Sequence, residues 1–185
     1  MTDTRFATLV DGVIGREGRY ANNPSDKGGE TMWGITAARA RAAGYTGPMA
    51  AMPRETAVEI YRLYYWLQPG FDRIDAILPE LAEEMLDTGI NMGTTVPGKF
   101  LQRVLNVLNG RGSLFGDLTV DGVCGAMTRA ALNSLIQKRG RDPVNRVLLA
   151  AMNGQQAVRY IEICEANQTQ EDFAWGWLAN RVAGA

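Results

Sequence analysis

Apolar residues recur at intervals of three and four along most of this 185-residue chain. In the first segment this spacing joins Phe6, Val10 and Ile14, and further along it joins Phe100 and Val104. Such spacing places apolar side chains on one face of an α-helix, whereas strands that are buried on one side alternate apolar and polar residues. Strong strand signals are nearly missing, so the sequence predicts a mainly α fold.

The predicted helices are separated by segments rich in turn-forming residues. The first helix ends near Glu17, and Asn, Pro, Ser, Asp and Gly dominate the stretch that follows it, which predicts a small hairpin or loop region near residues 18–36. Within that region, residues 32–36 form either a short strand or the entry to a second helix. Further helices are predicted over residues 36–43, 53–65, 79–91, 99–108, 128–137, 142–164 and 173–183. The long one over 142–164 is expected to break near Gly154.

The composition excludes several kinds of chemistry. The chain has no histidine, which removes Ser-His and Cys-His nucleophile systems and the usual zinc sites. Acid–base chemistry near neutral pH is then left to carboxylates, Lys, Tyr or Cys. A formal net charge of −1 gives no sign of a nucleic-acid partner. We predict no cofactor. The spacing of Asp117 and Asp121 does not fit an EF-hand loop, so we also predict no metal site.

The cysteines and the chain start carry weaker information. Cys124 and Cys164 are far apart and lie in no CxxC motif, so they are either two buried free thiols or a disulfide. The N-terminal residues lack the basic and apolar regions of a secretory signal, and no apolar run has the length of a membrane span. We therefore expect synthesis in the cytoplasm.

The segment after the first helix holds a possible catalytic arrangement. A glutamate at the end of an apolar helix, such as Glu17, has an anchored backbone, and apolar neighbours raise the pKa of a carboxyl group. A glutamate of this kind can act as a general acid, and glycoside hydrolysis needs a second carboxylate or polar group across the scissile bond. Asp26 and Thr31 could supply it if the chain between them folds back. The same residues also fit a simpler interpretation, in which Glu17 pairs with an arginine and Asp26 caps a turn.

Four stretches carry a resemblance to a known family. The first, EGRYANNPSDKGGETMWGIT (17–36), resembles the opening motif of glycoside hydrolase family 108, the phage and bacterial muramidases, and AVEIYRLYYW (57–66) resembles a helix of that family. DTGINMGTTVPGKFLQRVLN (87–106) and TVDGVCGAMTRAAL (119–132) look like the predicted peptidoglycan-binding segment that usually accompanies it. The resemblance covers nearly the whole chain, and the first motif is the most specific.

The resemblance implies a lysozyme-like fold, with several helices around a cleft, and an endolysin-type muramidase. Such an enzyme cleaves the β-1,4 bond between N-acetylmuramic acid and N-acetylglucosamine, with Glu17 as the catalytic glutamate. The order of Glu17, Asp26 and Thr31 also looks like that of phage-type lysozymes, although the gap before Thr31 is one residue shorter. Arg19 stands where the family motif has its second glycine, and it could lower the pKa of the acid or hold a carboxylate of the substrate.

The remaining expectations concern binding and organisation. Residues expected to bind substrate are Arg19, Tyr20, Asn22, Asn23, Trp33 and Asn91, and Tyr64, Tyr65 and Trp66 could offer rings to sugars or pack in the core. We predict one globule, with a catalytic half (1–87) and a helical peptidoglycan-binding half (88–185). The protein is expected to be a monomer that reaches the cell wall with the help of another factor. Three alternatives stay open: a lytic transglycosylase, a non-catalytic peptidoglycan-binding module, and a structural or toxin-type phage or secretion protein that carries this domain with a partner chaperone.

Overall fold

A computed structural model describes residues 3–17, 20–21 and 29–183. The helices are α1 (Asp3–Glu17), α2 (Ala37–Ala42), α3 (Arg54–Tyr61), α4 (Phe71–Asp75), α5 (Pro79–Met92), α6 (Thr95–Leu108), α7 (Ala126–Arg139), α8 (Arg141–Ala166) and α9 (Glu171–Trp177). Short 3₁₀ turns cover Met49–Ala51 and Gln168–Gln170, and π-helical turns cover Arg62–Leu67 and Leu178–Val182. Strands β1 (Thr31–Met32) and β2 (Ile35–Thr36) pair antiparallel. The predicted fold class, mainly α and lysozyme-like with a small hairpin near residues 18–36, is confirmed.

The chain divides into two compact units, Met1–Gln68 and Pro69–Ala185. The predicted functional division at residues 87 and 88, and the prediction of a single globule, stay predictions. The helix that was expected to break near Gly154 is continuous from Arg141 to Ala166. None of the helices within the described ranges combines the length and the apolar character that crossing a bilayer requires.

In the first unit, α1 contributes one apolar stripe to the core. Phe6, Val10 and Ile14 are buried, as their spacing of four residues predicts. The ring of Phe6 lies 5.7 Å from that of Trp66, which is also buried. Arg54, at the start of α3, forms an ion pair with Asp11 on α1. These contacts hold α1 against the segment from α3 to the π-helical turn.

In the second unit, α5 lies at the centre and packs against α4, α6 and α8. Its most buried apolar residues are Leu81, Ala82, Met85 and Leu86. The two cysteines, Cys124 and Cys164, are free thiols. Cys124 is buried, and burial raises its pKa to about 12, whereas Cys164 is only partly covered.

In the connection between α6 and α7, the turn directly before α7 is held by the buried side chain of Gln102. Its amide nitrogen donates to Oδ1 of Asp121 at 2.8 Å and to the carbonyl of Val123 at 3.1 Å, and its amide oxygen accepts from the backbone N–H of Gly122 at 2.8 Å. The hydrogen bond from Gln102 also keeps the pKa of Asp121 below its ordinary value. The DGxxG part of TVDGVCGAMTRAAL is therefore a turn that α6 holds in place.

Two glycines allow this turn to approach α6 closely. Gly122 has a φ of +87°, and a Cβ at that position would lie 2.5 Å from the carbonyl oxygen of Thr95. A Cβ on Gly98 would lie only 2.0 Å from the carbonyl oxygen of Gly122. Backbone meets backbone at both places, so neither contact can be relieved by rotating a side chain.

The second unit also buries a carboxyl group that the sequence did not single out. Glu84 on α5 is 9% exposed, and its Oε1 accepts from the hydroxyl of Thr88 at 3.0 Å. That hydroxyl accepts in turn from the amide nitrogen of Gln156 on α8 at 2.8 Å. Burial, assisted by the charge of Asp87, raises the pKa of Glu84 to about 7, although the Thr88 hydrogen bond and Arg181 oppose the shift.

We predict opposite effects for alanine at two helical glycines. Gly98→Ala should lower the free energy of unfolding by about 3 kcal/mol or more, because the new methyl group collides with backbone. Gly154→Ala should raise it by about 0.5–1 kcal/mol, because Gly154 is exposed within α8 and nothing lies near its missing Cβ. Chemical denaturation of both variants checks this. A stabilised Gly98→Ala variant would contradict the close approach of α6 and the turn.

A second prediction concerns the pH dependence of stability. Between about pH 4.5 and pH 7 the folded chain keeps a proton on Glu84 that the unfolded chain has lost, so this residue should lower stability as pH rises through that window. The loss should reach roughly 3 kcal/mol at pH 7 and above. Glu84→Gln imitates the protonated acid, and its stability advantage over the wild type should grow across the same window. Glu165→Gln, at an exposed position on α8, is the control, and parallel melting-temperature profiles for all three proteins would contradict the prediction.

Candidate active site

The candidate active site begins where α1 ends. The helix reaches Glu17, as predicted, and the buried residues Phe6, Val10 and Ile14 anchor its backbone in the first unit. The Glu17 side chain lies outside the described part of the chain, as do four further predicted site residues, Arg19, Asn22, Asn23 and Asp26. Their roles stay predictions.

The chain closes on itself between Ala21 and Thr31. The N–H of Ala21 donates to the carbonyl of Thr31 at 2.9 Å, and the N–H of Thr31 donates to the carbonyl of Ala21 at 2.8 Å. Ala21 is only four residues after Glu17 in the sequence, so this bridge pairs Thr31 with a residue that closely follows α1. The catalytic arrangement of Glu17, Asp26 and Thr31 that the sequence analysis describes stays a prediction.

The hairpin that carries Thr31 turns at Trp33 and Gly34. Thr31 pairs with Thr36 and Met32 pairs with Ile35, so the loop has two residues. Both have positive φ angles, +56° for Trp33 and +75° for Gly34, which is the pattern of a type I′ turn. Gly adopts such an angle freely, whereas a bulky residue does so only where its surroundings hold it there.

Two hydrogen bonds hold Trp33 in this conformation. Its indole N–H donates to the carbonyl of Met52 at 2.9 Å, and the hydroxyl of Tyr61 donates to the carbonyl of Trp33 at 3.2 Å. Tyr61 is 1% exposed, so α3 presents it from the core. The Trp33 ring is half-buried, and its polar edge is already used within the protein. The contact between Trp33 and the substrate stays a prediction, and it would use a face of the ring, because the N–H edge is bound to Met52.

The hydroxyl groups beside the hairpin have defined partners. Thr31 donates from Oγ1 to the carbonyl of Gly29 at 3.3 Å, which leaves the lone pairs of its oxygen able to accept from a water. The hydroxyl of Tyr20 donates to Oε1 of Glu30 at 2.9 Å, and Tyr20 is 40% exposed. Glu30 is a residue that sequence reasoning missed, although it stands directly before Thr31 in the motif.

The other aromatic candidates differ in their surroundings. Trp66 is 3% exposed and packs in the core, so it cannot offer its ring to a sugar in this structure. Tyr65 lies 5.3 Å from the ring of Tyr61. Tyr64 donates to the carbonyl of Ala42 at 3.1 Å, lies under the guanidinium of Arg39, and lines a groove of about 360 Å³. Of these three rings, Tyr64 has the setting that best suits a ligand contact.

Asn91 lies at the end of α5 in the second unit. Its amide nitrogen donates to the carbonyl of Asp87 at 2.8 Å, and the Asp87 carboxylate is held by Arg181 through contacts of 2.6 and 2.7 Å. Asn91 is exposed, and its role in substrate binding stays a prediction. In the described ranges, no group of three or more His, Cys, Asp or Glu side chains is arranged to hold a metal ion.

Comparisons with known proteins match two regions of this chain. Residues 10–93 match the family model described as glycosyl hydrolase 108, and residues 96–182 match the model described as a predicted peptidoglycan domain. The first match contains the end of α1, the Ala21–Thr31 bridge and the hairpin. No curated protein was found to match the chain.

Ten chains of solved structures are similar to this protein. One of them, from the structure of SagA of Brucella abortus, is 26% identical over 97% of this chain and 91% of that chain, with a TM-score of 0.67. The similarity therefore extends over both compact units.

The resemblance noted in the sequence is confirmed: the chain joins a match to glycosyl hydrolase 108 over residues 10–93 to a match to a predicted peptidoglycan domain over residues 96–182, and the two matches together support a glycoside hydrolase that acts on peptidoglycan.

Proposed function

We propose that this protein is an endolysin-type N-acetylmuramidase, a lysozyme of the kind that phages use to lyse bacteria. It would cleave the β-1,4 bond between N-acetylmuramic acid and N-acetylglucosamine by general acid catalysis. The observation that carries the proposal is the end of α1 at Glu17, beside a chain that closes at Ala21 and Thr31, within the glycosyl hydrolase 108 match. Another factor would bring the enzyme to the wall.

In this mechanism, Glu17 donates a proton to the oxygen of the leaving sugar. Its place at the end of a helix that is packed into the first unit supports this role, because a general acid must be held at a fixed position near the scissile bond. The second group must hold a water on the opposite face of the sugar. Asp26 has the charge to take a proton from that water, whereas Thr31 can only orient it.

Substrate contacts would come from around the hairpin and from the predicted binding segment. Tyr20 and Trp33 lie in and beside the hairpin. The polar group of each ring forms a hydrogen bond within the protein, and part of each ring is accessible to a ligand. Arg19, Asn22 and Asn23 belong to the same motif and would contact N-acetyl, hydroxyl or carboxylate groups. Asn91, on α5, is the remaining residue that is predicted to contact the substrate.

The proposal predicts that Glu17→Gln abolishes hydrolysis and leaves the fold intact. General acid catalysis is worth about 10²–10⁴-fold, and an unactivated sugar leaving group should place the loss near the top of that range. Release of soluble fragments from purified peptidoglycan measures the rate, and circular dichroism measures the fold. Glu55→Gln, at an exposed site in the first turn of α3, is the matched control. A Glu17→Gln variant that keeps more than about a tenth of the rate would exclude Glu17 as the acid.

The identity of the second group and the type of reaction can be tested together. Asp26→Asn should reduce the rate more than Thr31→Ala, because losing a base costs more than losing one orienting hydrogen bond. Mass spectrometry of the wild-type products should show free reducing ends, and NMR of fresh products should show inversion at the anomeric carbon.

Two results would redirect the assignment. Anhydromuramic products from a fully active Asp26→Asn variant would make the protein a lytic transglycosylase. Binding to peptidoglycan without any cleavage by the wild type would make it a non-catalytic binding module.

A further inference from the structure

The second unit carries a polar pocket of about 520 Å³ at the end of α6. It lies within the predicted peptidoglycan domain and in the turn-rich connection between α6 and α7. Its lining residues are Asn106, Val107, Asn109, Arg111, Gly112 and Asp117. Nothing in the mechanism above uses them.

Two asparagines build the frame of this pocket, one in the last turn of α6 and one directly after the helix. Asn106 exchanges two hydrogen bonds with the backbone of Leu118, at 2.9 and 2.7 Å. Asn109, which is 4% exposed, accepts from the N–H of Gly112 at 2.9 Å and donates to Oδ1 of Asp117 at 2.6 Å. Both amides are thus engaged in holding the loop, and they leave two charged groups to meet a ligand.

The first charged group is the guanidinium of Arg111. Arg111 is exposed, and it has no hydrogen bond or ion pair within the described ranges. Its φ is +60°, and its neighbours Gly110 and Gly112 have φ values of +66° and +81°. A left-handed conformation at a residue other than glycine is strained and occurs preferentially at functional sites. Here it accompanies a cation that is left unpaired beside a carboxylate.

The second charged group is the carboxylate of Asp117. Its Oδ1 is occupied by Asn109, and its Oδ2 has no partner in the described part of the chain. Arg111 and Asp117 line the same pocket, and no ion pair joins them in the described part of the chain. A cation and an anion held apart in this way are complementary to a ligand that carries both charges on one carbon.

The side of the pocket formed by α6 adds an apolar surface. Val107 is 80% exposed, so a hydrocarbon chain could cover it and gain burial of apolar area. The three features together match an aliphatic side chain that ends in an ammonium and a carboxylate. Among wall components, the free end of diaminopimelate has this chemistry, whereas a lysine residue at the same position offers only the ammonium.

We propose that the pocket between Arg111 and Asp117 binds the zwitterionic free end of a diaminopimelate residue in the peptidoglycan stem peptide. Arg111 holds the carboxylate through its paired N–H groups, and Asp117 accepts from the ammonium. The inference rests on the proposed function for its choice of substrate. It assigns to the second unit a preference for walls whose peptides are not cross-linked at this end.

Calorimetry with the full-length protein tests the inference without requiring hydrolysis. The probe is the stem tetrapeptide with diaminopimelate in third position, and the comparison is the same peptide with lysine there. The wild type should bind the first peptide about tenfold more tightly than the second, because a hydrogen-bonded charge is lost. Equal binding of the two peptides, or no binding of the first, would overturn the proposal.

Three variants locate the site. Arg111→Gln removes the cation, Arg111→Gly removes it and suits the left-handed backbone, and Asp117→Asn keeps an oxygen for Asn109 while it removes the charge. Each should weaken binding of the diaminopimelate peptide by about tenfold or more. Arg103→Gln, at an exposed arginine of α6 outside the pocket, should bind as the wild type does. Unchanged binding by the Arg111 and Asp117 variants would overturn the assignment.

The two proposals can fail separately. A Glu17→Gln variant that binds the tetrapeptide normally but does not cleave would support both. If the wild type cleaves peptidoglycan but binds the two peptides equally well, the ligand proposed for the pocket is wrong and the muramidase assignment is unaffected. If the wild type binds the diaminopimelate peptide selectively but cleaves no peptidoglycan, the muramidase assignment is wrong and the ligand proposed for the pocket is supported.

Discussion

The left-handed conformation of Trp33 is the constraint on which the described part of the candidate site depends. A two-residue turn of this kind matches the twist of the flanking strands only if both central residues have positive φ. Gly34 accepts that angle without cost, but Trp33 needs the carbonyl of Met52 and the hydroxyl of Tyr61 to hold it. The turn fixes β1, and β1 fixes Thr31 opposite Ala21. The geometry of a polar surface thus depends on a buried tyrosine of α3.

In the second unit a turn is held by the side-chain amide of Gln102, whereas in the first unit a turn is held through the indole of Trp33. The turn of the second unit, before α7, has positive φ at Gly122 and lies too close to α6 for any side chain at Gly98. Gln102 satisfies the polar groups of that turn, which buried backbone requires. In both units a strained or crowded turn is held by side chains from a neighbouring helix, so stability and site geometry are linked.

The sequence predicted the helices well because burial of one face leaves a direct trace in residue spacing. Phe6, Val10 and Ile14 are an example, and α1 ends at the predicted residue. The start of α6 was predicted at residue 99 but lies at Thr95, and Pro97 is accommodated because proline is tolerated in the first turn of a helix. The burial of Glu84 was missed, because a glutamate at an inward position can be recognised only once its partners on another helix are known.

For the candidate site, the sequence predicted where the chain would turn back but not how. Nothing about Met32, Trp33 and Gly34 indicates a type I′ turn, for which Asn-Gly is the usual signal. The partners of Trp33 come from residues about 20 and 28 positions further along the chain, and spacing rules act over shorter distances. The type of this turn is therefore set by hydrogen bonds to distant parts of the chain and not by the local preferences of its residues.

The π-helical turn at Arg62–Leu67 bears on how this chain can vary in length. Its hydrogen bond from the N–H of Gln68 to the carbonyl of Leu63 spans five residues, one more than an α-helical turn holds. The extra residue changes the face on which the side chains after the turn lie, and the turn itself contains the buried Trp66. A relative that lacks one residue here could restore a regular helix and still join the same flanking segments. This π-helical turn is thus a position at which the chain can gain or lose one residue without changing the flanking helices.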